Sequence, residues 1–138
     1  MPYLGPGVLS GVTEAGSGEA IPADSDSLIL AMNGGQPMAP RLMFEFARAA
    51  MDMELKKGRN FVYRFLSETY GERQWTRAPL HDWLCAHKSG YIVDINRDTQ
   101  LQDSFADTPH TLIRGIARIG GTDYRFRIHQ YDGEAYHE

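Results

Sequence analysis

The stretch TLIRGIARIGGTDYRFRIHQY, residues 111–131, decides how the chain is read. Gly120 and Gly121 tolerate the positive φ angles of a two-residue hairpin turn, and β-branched and aromatic residues flank them on both sides. Such a turn fixes the register by pairing residues whose numbers sum to 241. One face then carries Ile119 opposite Thr122, Ala117 opposite Tyr124, Gly115 opposite Phe126, and Ile113 opposite Ile128. Small residues oppose large aromatics there, and this face is expected to be the core face.

The other face carries Arg118 opposite Asp123, Ile116 opposite Arg125, Arg114 opposite Arg127, and Leu112 opposite His129. Like charges set directly opposite destabilise a sheet, by about 0.2–1 kcal/mol. Arg114 and Arg127 are such a pair, so an anion is expected over them. The chain's own acidic segment, carboxylates such as Asp94 and Asp98, an acidic protein partner and nucleic-acid phosphate are the candidates. Arginine forks hold carboxylates bidentately and are favoured in interfaces. The expected binding residues are therefore Arg114, Arg118, Arg125, Arg127 and His129. Trp75, between Arg73 and Arg77, joins them as an interaction hot spot, or else staples the linker onto the helix that follows.

Upstream of the hairpin, helices are expected. Pro40 suits a first helical position. Arg41, Glu45, Arg48, Asp52 and Lys56 draw one narrow polar stripe from there to Gly58, whose left-handed backbone ends the helix. The rest of that surface is apolar, which implies a central, mostly buried helix. A second helix is expected from Asn60 to a stop at Gly71. A third runs from Pro79 to before Gly90 with Leu80, Trp83, Leu84 and His87 on its packed face. Tyr91 to Asn96 reads as a strand, residues 97–109 as a polar connection with a helical turn near Leu101 to Phe105, and Leu28 to Met32 as a short strand. The expected fold is α+β: a three-helix layer packed on a small antiparallel sheet that ends in a C-terminal β-hairpin. It forms one domain over residues 27–138.

Residues 1–26 are rich in Gly, Pro, Ser and Ala and read as a flexible arm, with Leu4, Val8, Leu9 and Val12 available as anchors. Net charge is −4, and its placement is uneven. The first basic residue is Arg41, and Glu14, Glu19, Asp24 and Asp26 precede it, so the excess negative charge lies in the N-terminal segment. Cys85 is the only cysteine, which excludes an internal disulfide and makes a reducing cytoplasm the simplest compartment. No charged signal-peptide opening and no apolar run of bilayer length is present.

Chemistry-bearing motifs are sparse. His81, Cys85 and His87 lie on one helix, and His81 and Cys85 are one turn apart, but no second ligand pair has metal spacing. No nucleophile elbow, Walker loop or dinucleotide fingerprint occurs. No cofactor and no metal are therefore expected. The leading expectation is a small non-enzymatic binding or regulatory protein that acts through protein–protein contact. Its partner would be an acidic protein, or a second copy docking its acidic arm. Size and make-up fit the accessory proteins of bacteria and their phages. A nucleic-acid-binding module, winged-helix-like or built on the basic ribbon, is the second reading. An enzyme or metal site using His81, Cys85 and His87 is the third.

Overall fold

Asp24 starts the first helix: its carboxylate accepts from the Ser27 amide at 2.7 Å, and α1 runs Ser25–Met32. Leu28, Ile29 and Met32 line its buried side. Residues 28–32, expected as a strand, are therefore helical. A five-residue apolar run has no readable period, and the deciding signal is the capping aspartate ahead of it. The computed structural model describes residues 1–115 and 125–138, and its class is α+β. Contacts divide the chain into two units, Met1–Gln100 and Leu101–Glu138. No helix among the described residues is long and apolar enough to cross a membrane.

In the first unit Pro40 opens only a 3₁₀ turn, Pro40–Leu42, and the helix proper, α2, is Phe46–Lys57. Gly58, at φ 97°, closes it as expected. The polar stripe is present as the ion pairs Glu45–Arg48 and Asp52–Lys56, at 2.9 and 2.8 Å. The helix is not central, however. Only Phe46, Ala49 and Met53, at i, i+3 and i+7, are buried, while Met51 and Leu55 are exposed. That stripe packs on Leu28, Ile29, Met32 and Val62.

Helix α3 spans Asn60–Leu66 and continues as a π turn, Ser67–Glu72, straight through Gly71. The expected stop is thus overrun. The wide turn ends with the Arg73 amide on the Glu68 carbonyl, and the Thr69 carbonyl receives the Trp75 indole N–H at 2.7 Å. Helix α4, Pro79–Ala86, starts as expected and ends short of Gly90, but of the expected packed face only Leu84 is buried, together with His81. Trp83 is 53 % exposed, and Leu80 and His87 are also exposed.

Residues 1–26, read as a loose arm, are irregular but packed. Leu9, Val12 and Ile21 form a second cluster with Ala78, against which Trp75 and Tyr70 pack. The loop between Val12 and Ile21 is laced to the 74–76 segment: Ala15 donates to the Gln74 carbonyl at 2.9 Å, and Thr76 to the Thr13 carbonyl at 2.8 Å. At the N-terminus, β1 (Tyr3–Leu4) pairs in parallel with β2 (Val93–Asp94). The expected strand 91–96 therefore shrinks to two residues and lies outside the antiparallel sheet. The buried Gln100 side chain accepts from the Ala78 amide at 2.7 Å and donates to the Thr76 carbonyl at 2.8 Å, which fixes the start of α4.

In the second unit a short helix, α5 (Gln100–Ser104, beginning at the unit boundary), matches the expected helical turn. The antiparallel sheet follows in the order β3 (His110–Gly115), β4 (Phe126–Tyr131), β5 (Tyr136–His137). All six β3–β4 pairs, from His110–Tyr131 to Gly115–Phe126, have the expected register. The Gly120-Gly121 turn, Arg118, and the expected pairs involving residues 116–124 lie outside the described residues.

Candidate interaction surface on the C-terminal ribbon

Alternation along β3 and β4 makes two faces, and the structure reverses which of them is covered. Ile113, Phe126 and Ile128, expected to form the core face, are 62, 64 and 56 % exposed. Half-buried residues lie on the other face instead: His110 and Leu112 on β3, His129 and Tyr131 on β4. Alternation identifies two faces but says nothing of which one has cover. No described residue between Leu101 and Glu138 is buried.

The half-buried face is organised by an aromatic cluster at the root of the ribbon. The His110 ring lies 4.9 Å from that of Tyr131, 5.5 Å from Tyr136 and 5.8 Å from Phe105. Nδ1 of His110 bonds to the Thr108 carbonyl at 2.7 Å, and a carbonyl can only accept. In the neutral ring this leaves Nε2 to accept from the Tyr136 hydroxyl, 2.8 Å away. Tyr131 donates to the Ala106 carbonyl at 2.6 Å. Burial, followed by the neighbouring Tyr131 and Asp103, pushes the Tyr136 phenol up. Asp132 builds the turn into β5: its Oδ1 accepts from the Glu134 and Ala135 amides at 2.8 and 2.9 Å, and its Oδ2 lies 2.9 Å from His137 Nε2. Those two amides first, and His137 after them, hold the Asp132 carboxyl far below the ordinary range.

Towards the tip of the same face, Arg114 and Arg127 stand directly opposite each other and are both exposed. Arg125, one residue before β4, is exposed as well. Among the described residues, Glu138 places its carboxylate 3.7 Å from Arg127. It is a carboxylate of the chain itself, as the internal candidates were, though neither Asp94 nor Asp98. A solvated pair of this kind contributes about 0–1 kcal/mol. His129 sits opposite Leu112 with its ring edge-to-face on Tyr136, 6.3 Å between centroids. Its Nε2 is buried without a hydrogen-bond partner among the described residues.

Glu14 and Glu19 both bind Arg73, the latter at 2.8 Å. The Arg73 hydrogen bond, then that of Ser17, holds the Glu14 carboxyl down at about 2. Arg73 also lies over the Trp75 ring, 4.5 Å from its centroid. Trp75 is half-buried in the first unit, packed against the cluster of Leu9, Val12, Ile21 and Ala78. Arg77 pairs with Asp82 at 2.8 Å.

His81, Cys85 and His87 are not brought to one site. His81 is fully buried with neither ring nitrogen hydrogen-bonded among the described residues, whereas His87 is exposed and stacked on Trp83 at 4.0 Å. Among the described residues no group of three His, Cys, Asp or Glu side chains converges on a metal position. The exposed tryptophan of the first unit is Trp83, in a shallow apolar depression with Pro79 and Leu80. Sequence reasoning missed it because two sets at helical spacing overlap on α4. Ala78, His81 and Leu84 compete with Leu80, Trp83 and His87 for the inner side.

Comparison with known proteins returns no match: no family model, no curated protein and no solved structure is similar to this chain.

Proposed function

We propose that this chain is a non-enzymatic binding protein whose contact surface is the ribbon of residues 110–115 and 125–131. One observation carries the reading: a unit of 38 residues exposes three large apolar side chains on one sheet face while none of its described residues is buried. Units of about 40 residues and below generally need a disulfide, a metal or association with another chain to be stable. Cys85, the only cysteine, lies in the first unit, so no disulfide within 101–138 can form. In this reading, association with another chain supplies the missing burial. Ile113, Phe126 and Ile128 supply apolar area, and Arg114, Arg125 and Arg127 supply forks for carboxylates.

The test is capture of a binding partner by the full tagged chain from its native host. Charge reversal at Arg125 and Arg127, and separately Ile128→Ser, are expected to release that partner. Leu80→Ser on α4 is expected to keep it. Retention of the partner by both ribbon variants would refute the reading. The nucleic-acid alternative predicts salt-steep retention on heparin that Arg114→Ala/Arg127→Ala abolishes.

A further inference from the structure

The three strands of the C-terminal sheet present two unlike edges. At one edge β5 is only two residues long, and Asp132, Glu134 and Glu138 flank it. Short length and charge both protect an edge from further pairing. At the other edge β3 is six residues long and pairs only with β4 among the described residues. It contains no proline or lysine, and Thr111 and Ile113 give it β-branched character. Among the described residues of this unit, an outer row of backbone N–H and C=O groups is thus left for another strand. Charge is distributed along the ribbon as well as across it. Arg114, Arg125 and Arg127 lie toward the tip, where Glu138 reaches Arg127, and Asp103, Asp107, Asp132 and Glu134 lie at the root.

From these two features together we infer that a second copy of this chain pairs with the first, antiparallel, along the open edge of β3. The inference rests on the ribbon being the contact surface and names the partner. Antiparallel pairing sets each basic tip beside the acidic root of the other copy, whereas parallel pairing would set arginines against arginines. A two-fold axis normal to the sheet pairs β3 residues of like parity. Ile113 of both copies then falls on one face and gains a cross-strand neighbour on its open side. Two three-stranded sheets become one of six strands, and main-chain hydrogen bonds supply affinity as in other strand additions.

Sedimentation equilibrium of the purified full chain tests this. The expected result is a concentration-dependent dimer that weakens with added salt, and a dissociation constant raised about tenfold or more in Arg114→Glu. Should Arg114→Glu fail to fold, cysteine pairing in a Cys85→Ser background still decides. Ile113→Cys, at the strand centre, is expected to form a disulfide with its own copy under mild oxidation, and Ile128→Cys, one strand further in, is not. Dimers that crosslink through Ile128→Cys and not Ile113→Cys would overturn edge pairing in favour of stacked faces. A chain monomeric at every concentration that still loses a captured protein on Arg125/Arg127 reversal would overturn self-pairing and leave the contact surface standing. A monomer that captures nothing would overturn both.

Discussion

Arg73 shows how a single side chain can account for charges that looked unassigned. Its guanidinium holds Glu14 and Glu19 and covers the Trp75 ring, so it joins the N-terminal segment to the stretch before α4. Folding lowers the Glu14 carboxyl from 4.5 to about 2. A carboxyl lowered by folding contributes stability that is fully present above its unfolded value and lost as pH falls towards its folded one. Arg73→Ala is therefore expected to lower Tm at pH 7. The gap from the parent is expected to narrow as pH falls from 4.5 towards 2, a trend that thermal denaturation across that range would show. The pairing was not legible in sequence, because Glu14 and Arg73 are 59 positions apart and no periodicity connects them. Legibility at this scale was best where a local rule applies. Gly58 as a helix stop is such a case, with a positive φ that suits glycine.

Elements were legible in proportion to their length and to how much the local chemistry narrows the choice. The hairpin register follows from two glycines between two alternating runs, and six observed pairs agree with it. Helix α1 did not announce itself, since its apolar run is five residues long and its cap lies before the run. Asp24→Ala is expected to cost about 1 kcal/mol in urea denaturation, and Asp24→Asn only a small part of that. No change is expected from a reading of residues 28–32 as a strand, in which residue 24 caps nothing. On α4 the spacing was correct and the orientation was not, because His81 takes the inner position and Trp83 the outer. Periodicity shows that a helix has faces. Which face is covered depends on the neighbours, here Gln100 and the Leu9–Val12–Ile21 cluster close to the start of α4.

At the scale of the whole molecule, the expectation that the Ile113–Phe126–Ile128 face is core presupposed a layer lying over it. Those side chains are more than half exposed, and the half-buried face is the one that carries the arginines. The aromatic cluster of His110, Tyr131 and Tyr136 covers the root of that face, and Glu138 lies beside Arg127. The arginine side of the candidate surface was thus legible from alternation alone. Its apolar side was not, since an exposed apolar face and a core face have the same sequence pattern. Under the proposed function, contact with another chain completes the 101–138 unit. Amide hydrogen exchange compares the full chain isolated in its native complex with the same chain diluted to monomer. Amides of residues 110–115 are expected to gain protection in the complex, with no comparable gain on α4. Equal protection in the two states, or a gain confined to residues 79–86, would contradict it.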